Sequence, residues 1–266
     1  MRLVRMDPPG THCHRQAIYD FIDKLDVRHF VEVGIGDGGL AKRLLQRGMT
    51  GAGLERSRPA VIQARQTLGA ELSAGRFELV EGDLLTGARP ASGLADLGLA
   101  LMVMEHVPDD VGFAQGLMAL VRPGGFVLLS VPGRRDRWSF EDETVGHLRR
   151  YERPDLVAVL ERAGAQDIVV RSVSVPVANL LQGLGNYLAR RAGESRKLNA
   201  GKLVQTDTSG IREIPFKTVF PRWCRIVLNP VTLYPLFVLQ RLFYRGDLGI
   251  ELMALARVPD PLHANR

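Results

Sequence analysis

The chain predicts an α/β fold: a doubly wound sheet of seven mostly parallel strands, with a helical insertion between the sixth and the seventh. Three observations predict it. β-prone and helix-periodic stretches alternate from residue 15 to residue 175. One strand, Phe30-Val31-Glu32-Val33, opens into a loop with four glycines in six positions, Gly34 to Gly39, and a helical run follows. Acidic residues stand at the ends of successive strands (Glu32, Glu55, Asp83 and Glu105), where open α/β sheets carry their ligand loops.

Taken in order, Ile18, Phe21, Ile22 and Leu25 share one face of a leading helix over 15–25. The first strand and glycine loop lead into a helix over 40–47, stopped by Gly48. Residues 50–55 form the second strand; Ser57 and Pro59 suit the start of a helix to Leu68, with Gly69 as its stop. Residues 76–83 are the third strand, and 96–107 the fourth, an apolar run interrupted by Glu105-His106. Asp109 or Asp110 caps the next helix, which Pro123-Gly124-Gly125 ends before the fifth strand over 126–132. A helix over 154–163, closed by Gly164, precedes the sixth strand at 168–175, and 249–258 supplies the seventh.

Composition narrows the class. At 266 residues, 45% hydrophobic and 24% charged, the chain is long and apolar enough for one large domain or a domain with an insertion. Two distant cysteines, Cys13 and Cys224, support neither a zinc site nor a disulfide framework and suit reduced thiols in a cytoplasmic protein. The N-terminal residues hold no long apolar run, so no secretory leader is expected. Charge is uneven: residues 171–247 carry 12 basic and 4 acidic side chains, against 21 and 23 in residues 1–170. The basic excess therefore belongs to one segment, which argues for a local anionic partner.

The glycine loop alone admits two readings. Gly34-x-Gly36-x-x-Gly39 satisfies the dinucleotide fingerprint, with Glu55 at about the ribose-binding distance of ~20 residues, as in an NAD(P)-dependent oxidoreductase. Further motifs decide between them. Glu-x-Gly-x-Gly-x-Gly (Glu32, Gly34, Gly36, Gly38), Gly-Leu-Glu-x-Ser (53–57) and Glu-Gly-Asp (81–83) come first. Met-Glu-His-Val-Pro-Asp (104–109), Arg-Pro-Gly-Gly (122–125) and Gly-His-Leu-Arg-Arg-Tyr (146–151) follow. In this order they resemble the class I S-adenosylmethionine-dependent methyltransferases, most closely the bacterial branch acting on small molecules and lipid-like substrates. The resemblance covers 15–175 and returns at 248–258. It departs in the long segment between the sixth and seventh strands, which that fold joins by a short connection. A dinucleotide site requires neither Glu32 before the first glycine, nor an acid ending the third strand, nor Glu-His ending the fourth.

The resemblance implies a Rossmann-like core with S-adenosylmethionine as cofactor and S-adenosylhomocysteine as product. It implies that Glu32 and the loop Gly34, Gly36 and Gly38 hold the amino-acid portion. Glu55 would take the ribose hydroxyls, Asp83 the adenine amine, and Leu84 would pack on the ring. Glu105 and His106 would stand beside the methyl group. His147 and Tyr151 share a face if their segment is helical, and His147, whose kind titrates near pH 6.5, suits a general base. Each has a plainer role too: a helix-dipole partner for Glu32, a turn residue for Asp83, a backbone-bonded strand end for His106, a brace for His147. Arg149 and Arg150 would meet an anionic substrate or, more commonly, solvent. No cluster of metal ligands stands out, so no metal is expected.

The expected organisation is a methyltransferase core over 1–175, an insertion over 176–247, and a closing strand and tail over 248–266. In the insertion, Val177, Leu180, Leu181, Leu184 and Leu188 lie at helical spacing. A polar stretch over 194–213 reads as mobile, and residues 226–244 are apolar but carry two prolines, which argues against a bilayer span. A lid over an apolar substrate is preferred to a membrane-surface contact or a dimer contact. Basic residues without interleaved aromatics argue against nucleic acid. The expected function is methyl transfer to a small, hydrophobic or lipid-like acceptor, by O-methylation. N- or C-methylation and a non-catalytic S-adenosylmethionine-binding partner protein are the alternatives beside the oxidoreductase. The expected location is the cytoplasm, with the inner membrane surface as a site of contact.

Overall fold

The structure, a computed structural model, describes residues 3–199, 201, 205–206 and 213–261. In chain order its strands and helices begin with β1 (Leu3–Arg5), α1 (Pro9–Ile22), β2 (His29–Val33), α2 (Gly39–Gln46), β3 (Thr50–Glu55) and α3 (Arg58–Thr67). They continue with α4 (Gly69–Ser73), β4 (Phe77–Glu81), β5 (Ala95–Leu101), α5 (Asp110–Met118), β6 (Val121–Pro132) and α6 (Phe140–Val145). The last are α7 (Arg153–Arg162), β7 (Gln166–Val173), α8 (Val177–Arg191), β8 (Val219–Pro221), α9 (Tyr234–Arg241) and β9 (Glu251–Arg257). Seven strands form the expected mostly parallel sheet, in the order β4-β3-β2-β5-β6-β9-β7. The pairs β3–β4, β2–β3, β2–β5 and β5–β6 are parallel. The last strand runs against β6: Gly124 N–H donates to Val258 O, whereas Gly133, further along, donates to Ile250 O. β1 and β8 make a separate antiparallel pair, too short for the sequence pattern to have marked.

The chain forms two compact units, one from the described residues of Asp26–Val131, Arg153–Val169 and Met253–Arg266, the other from those of Met1–Leu25, Pro132–Glu152 and Val170–Leu252. These differ from the expected 1–175, 176–247 and 248–266, since the N-terminal helix and the 132–152 stretch belong with the long segment after β7. In the first unit Phe30, Leu97, Leu99 and Leu128 are sealed from solvent on neighbouring strands. Asp96 pins three of those strands at one end. Its carboxylate accepts from the Arg28 and His29 N–H groups (both 2.9 Å) and from Arg122 Nε (2.7 Å). Burial alone would raise its pKa, but these donors hold it below the usual range.

In the second unit, α8 and α9 both pack on α1, and Cys13, Val177, Leu233 and Phe237 form their shared cluster. Cys13 and Cys224 are buried free thiols, and burial, helped by the Glu251 charge, pushes the Cys13 thiol up to about 11. Asp20 on α1 receives Arg241 Nε and Nη2 (2.7 Å each) and the Tyr244 hydroxyl (2.9 Å). The Arg171 guanidinium lies 3.7 Å from the centre of the Phe21 ring.

Several boundaries differ from the sequence expectation for physical reasons. α1 starts at Pro9 because a first-turn proline needs no backbone donor. Gly69 does not stop the chain from turning helical but opens α4. The fourth strand of the sheet, β5, ends at Leu101; Met102 takes a φ of 57° and Met104–His106 form a 3₁₀ turn, so Glu105 and His106 sit on that turn. Pro123-Gly124-Gly125 lies inside β6, where the backbone of Gly124 and Gly125 pairs with Val258. Of the polar stretch 194–213, residues 200, 202–204 and 207–212 lie outside the described residues, and Glu194–Asn199 form a 3₁₀ helix. Among the described residues no helix is long and apolar enough to cross a membrane.

Gln240, sealed from solvent on α9, joins three elements: its Oε1 accepts from Ser174 N–H (3.1 Å) and its Nε2 donates to Cys13 O (3.0 Å). Gln240→Leu keeps the volume but leaves the buried Ser174 N–H without its acceptor, at ~1–3 kcal/mol, and removes a second donor from Cys13 O, which keeps its place in α1. The expected outcome is a loss of about 1–3 kcal/mol in denaturant-induced unfolding. An unchanged midpoint would show that the link carries no stability.

Candidate functional site

The loop after β2 is shaped by glycine. Gly34 has a φ of +74°, and a Cβ there would come within 2.5 Å of Val103 Cγ2. Gly36 has a φ of +58° and is strained for any side chain, yet no atom lies within 4 Å of where its Cβ would be. It therefore keeps open space beside the backbone. Its N–H donates to Glu55 Oε2 (2.9 Å), and the other Glu55 oxygen accepts from Ser57 N–H (2.9 Å). Glu55, at the end of β3, thus ties the glycine loop to the next strand. A carboxylate offers about four acceptor positions, so these two bonds leave capacity for further donors.

Glu32 is buried beneath the loop, and its Oε2 has no hydrogen-bond partner among the described residues. Burial pushes its carboxyl up to about 8, with the Asp37 and Glu55 charges adding to the rise and a bond to the Ala41 backbone opposing it. Asp83 caps the 3₁₀ turn Leu84–Thr86: its Oδ1 accepts from Leu85 N–H (2.9 Å), and Arg56 Nη1 lies 3.9 Å from Oδ2. Leu84, expected to pack on a ligand ring, is buried against Gly116 of α5, and Leu85 is the exposed leucine of this turn. Glu105 is fully buried on its turn, and the partly buried His106 donates its backbone N–H to Val103 O (3.0 Å). All of these residues belong to the unit containing 26–131.

His147 and Tyr151 belong to the other unit, and the structure does not put them on one helical face. α6 ends at Val145, Gly146 takes a φ of 80°, and residues 147–150 have no helical structure. Tyr151 is buried and bridges its backbone to Gly133. What organises this stretch is Asp142, a residue the sequence reading did not single out. Its carboxylate accepts from Ser139 N–H (2.7 Å), Ser139 Oγ (3.0 Å), His147 Nδ1 (2.7 Å), Arg150 Nε (2.8 Å) and Arg150 Nη2 (2.9 Å). Arg150 Nη1 also donates to Gly133 O (2.8 Å). Arg150, expected to face substrate or solvent, is instead a buried, two-pronged partner of Asp142. Burial would raise the Asp142 carboxyl, but bonds from His147 and Arg150 outweigh it and bring it to about 2. An ionised carboxylate only accepts hydrogen bonds, so His147 Nδ1 carries the proton. In the neutral imidazole, Nε2 is then the nitrogen with the lone pair. The Ser139-x-x-Asp142 spacing, a helix-start pattern, was the available signal for this hub.

Comparison with known proteins fits this geometry. A family described as "Methyltransferase domain" matches residues 14–170, more than half of the chain. The chain belongs to that family. Its motifs and its sheet place it among the class I S-adenosylmethionine-dependent methyltransferases. It is similar to a ubiquinone biosynthesis O-methyltransferase of Thiobacillus denitrificans, with 33% identity over 104 residues, 39% of this chain and 44% of the relative. The same named enzyme of Leptothrix cholodnii is 30% identical over 118 residues, 44% of this chain and 49% of the relative. The matched stretches thus span less than half the length of these curated relatives. In fold, the chain resembles a phosphoethanolamine N-methyltransferase of Haemonchus contortus solved with S-adenosyl-L-methionine. That likeness has a TM-score of 0.56 at 14% identity and covers 93% of this chain and 53% of the other.

The residues of this methyltransferase fit the family's cofactor: a buried carboxylate oxygen without a partner suits a cation, and the open space at Gly36 admits a ligand beside backbone. The raised Glu32 carboxyl also has a consequence for stability. The folded state holds that proton more tightly than the unfolded chain, so stability is greatest below the ordinary carboxylate range and falls as pH rises towards about 8. Without cofactor, the fall should approach ~1.4 kcal/mol per pH unit at most. Glu32→Gln, which mimics the neutral form, should flatten the slope between those limits in thermal or denaturant unfolding. A variant as pH-dependent as the parent would remove Glu32 as the cause.

Proposed function

We propose that this protein transfers a methyl group from S-adenosylmethionine to a hydroxyl of a small, apolar or lipid-like acceptor, with His147 as general base. The carrying observation is the Asp142–His147 pair, in which a buried, ionised carboxylate fixes the imidazole so that Nε2 is its proton acceptor. The names of the relatives support oxygen as the methylated atom. By the same likeness, a hydroxylated aromatic compound with an apolar tail is the acceptor class to test first.

The cofactor supplies a sulfonium-activated methyl group. Glu32 would face its ammonium, Glu55 its ribose hydroxyls and Asp83 its adenine amine, while the backbone around Gly36 would accommodate its amino-acid portion. The protein's remaining tasks are to hold the acceptor oxygen in line, to exclude water and to take up the hydroxyl proton. Orientation of this kind supplies up to ~7–11 kcal/mol in favourable cases. His147 Nε2 would take the proton, and the Asp142 carboxylate would stabilise the resulting imidazolium. Arg150 and Ser139 hold that carboxylate in place without spending the bond that orients the histidine.

Two measurements test separate halves of this reading. Glu55→Ala and Asp83→Ala should each weaken S-adenosylhomocysteine binding by ~1–3 kcal/mol in calorimetry, the cost of unpaired polar groups. Full affinity in both folded variants would sink the cofactor assignment. His147→Ala should lower methyl transfer by roughly 10²–10⁴-fold while S-adenosylhomocysteine affinity is retained. Lost cofactor affinity, or a lowered unfolding midpoint with unchanged turnover, would make His147 a brace for Asp142.

A further inference from the structure

Large apolar side chains left in water are concentrated in one stretch of this protein. Ile226, Val231 and Leu242 are 76%, 83% and 78% exposed, and Trp223, Tyr234 and Val238 stand out in solvent with them. α9 shows why this is not ordinary packing. Leu233, Phe237 and Gln240 are its buried face, and Tyr234, Val238 and Leu242, four residues apart, form another face that is apolar as well. A helix packed on one side and solvated on the other turns polar residues outward. α8 repeats the anomaly: Val177 and Ala189 are buried, while Leu180, Leu184 and Tyr187 are exposed. Both helices belong to one unit and meet at the Cys13 cluster. Arg222, Arg225 and Arg245 are exposed within the same stretch and form no ion pair among the described residues.

We infer that the face carried by residues 222–248, with the outer stripe of α8, is a peripheral docking surface for an anionic phospholipid bilayer. The apolar side chains enter the boundary between headgroups and acyl chains. Trp223 and Tyr234 combine an apolar ring with a polar atom, which suits headgroup depth. The arginines meet lipid phosphates, and the net charge of residues 171–247, 12 basic against 4 acidic side chains, complements an anionic leaflet. Charge also decides against a second copy of this chain. A two-fold contact would set the arginine-bearing face against itself, whereas anionic lipid neutralises it. No crossing helix is needed, and none is present among the described residues. The inference stands apart from methyl transfer, because docking requires neither cofactor nor acceptor.

Co-sedimentation of the full chain with phosphatidylcholine vesicles, with and without phosphatidylglycerol, tests it. The expected result is binding to the anionic vesicles that weakens with added salt. Ile226→Ser combined with Leu242→Ser should reduce that binding at least ~10-fold. Arg222→Gln combined with Arg225→Gln should abolish most of the preference for anionic over neutral vesicles. Because these side chains are exposed, both double variants should keep the parent's unfolding midpoint and S-adenosylhomocysteine affinity. Quenching of tryptophan emission by brominated acyl chains reads insertion in the unmutated chain and needs no variant. A parent protein that stays in the supernatant and is not quenched overturns the inference. So does a dimer, seen by sedimentation equilibrium, that the serine variant dissociates, since the face would then belong to a second copy.

Discussion

A carboxylate removed from water must either be surrounded by donors or give up its charge, and this constraint orders the structure around its acids. Asp96 takes two backbone N–H groups and an arginine, and so fixes where three strands begin. Glu55 takes Gly36 and Ser57 N–H and so fixes the glycine loop. Asp142 takes a helix start, a histidine and an arginine, and so shapes 139–150 without regular structure over 147–150. Among these four Glu32 differs: one of its oxygens lacks a hydrogen-bond donor among the described residues, and its carboxyl is driven towards neutrality. Three acids are structural ties, and the fourth is kept at a cost that a bound cation would relieve.

The fold was legible because its signals are redundant. Alternating strand and helix patterns and proline starts agree for β2, α2, β3, α3 and β4, whose predicted and observed bounds differ by two residues or fewer, although the short α4 between α3 and β4 was not expected. They disagreed where one residue type serves two purposes. Pro-Gly-Gly resembles a helix terminator, but at 123–125 its backbone joins the sheet through Val258. Apolar continuity carried the predicted fourth strand to Val107, whereas the positive φ of Met102 breaks it, and no pattern of residue types announces a methionine in that conformation. β1 and β8 are three residues each and pair across more than two hundred positions, beyond the reach of local periodicity.

The candidate site divides in the same way. Glu32, Glu55 and Asp83 could be picked out because an acid at a strand end has few uses. Asp142 and Arg150 were missed or misassigned because charged residues eight apart near Gly-His-Leu-Arg-Arg-Tyr look like solvated surface. Their pairing depends on a chain reversal at Gly146, whose φ of 80° turns His147 and Arg150 back towards the helix that carries Asp142. Helical spacing therefore suggested the wrong companion for His147: Tyr151 rather than Asp142.

The family match ends at residue 170, where the last part of the second unit begins. The acids assigned to the cofactor all lie within 26–131, so the shared part of the chain accounts for the shared part of the chemistry. The acceptor is what distinguishes one methyltransferase from another, and methyl transfer itself places few demands on it beyond orientation and a place for its proton. The residues without counterpart in the matched family region, 171–252, hold the whole of the chain's excess positive charge and nearly all of its most exposed large apolar side chains. Exposed hydrocarbon and unmatched positive charge in one stretch are complemented together by an anionic, partly apolar medium. A bilayer surface is such a medium, and it is also the phase in which a lipid-like acceptor would be dissolved. The proposed docking surface and the proposed acceptor class therefore share one environment, although they rest on different grounds: exposure and charge for the surface, the names of the relatives for the acceptor.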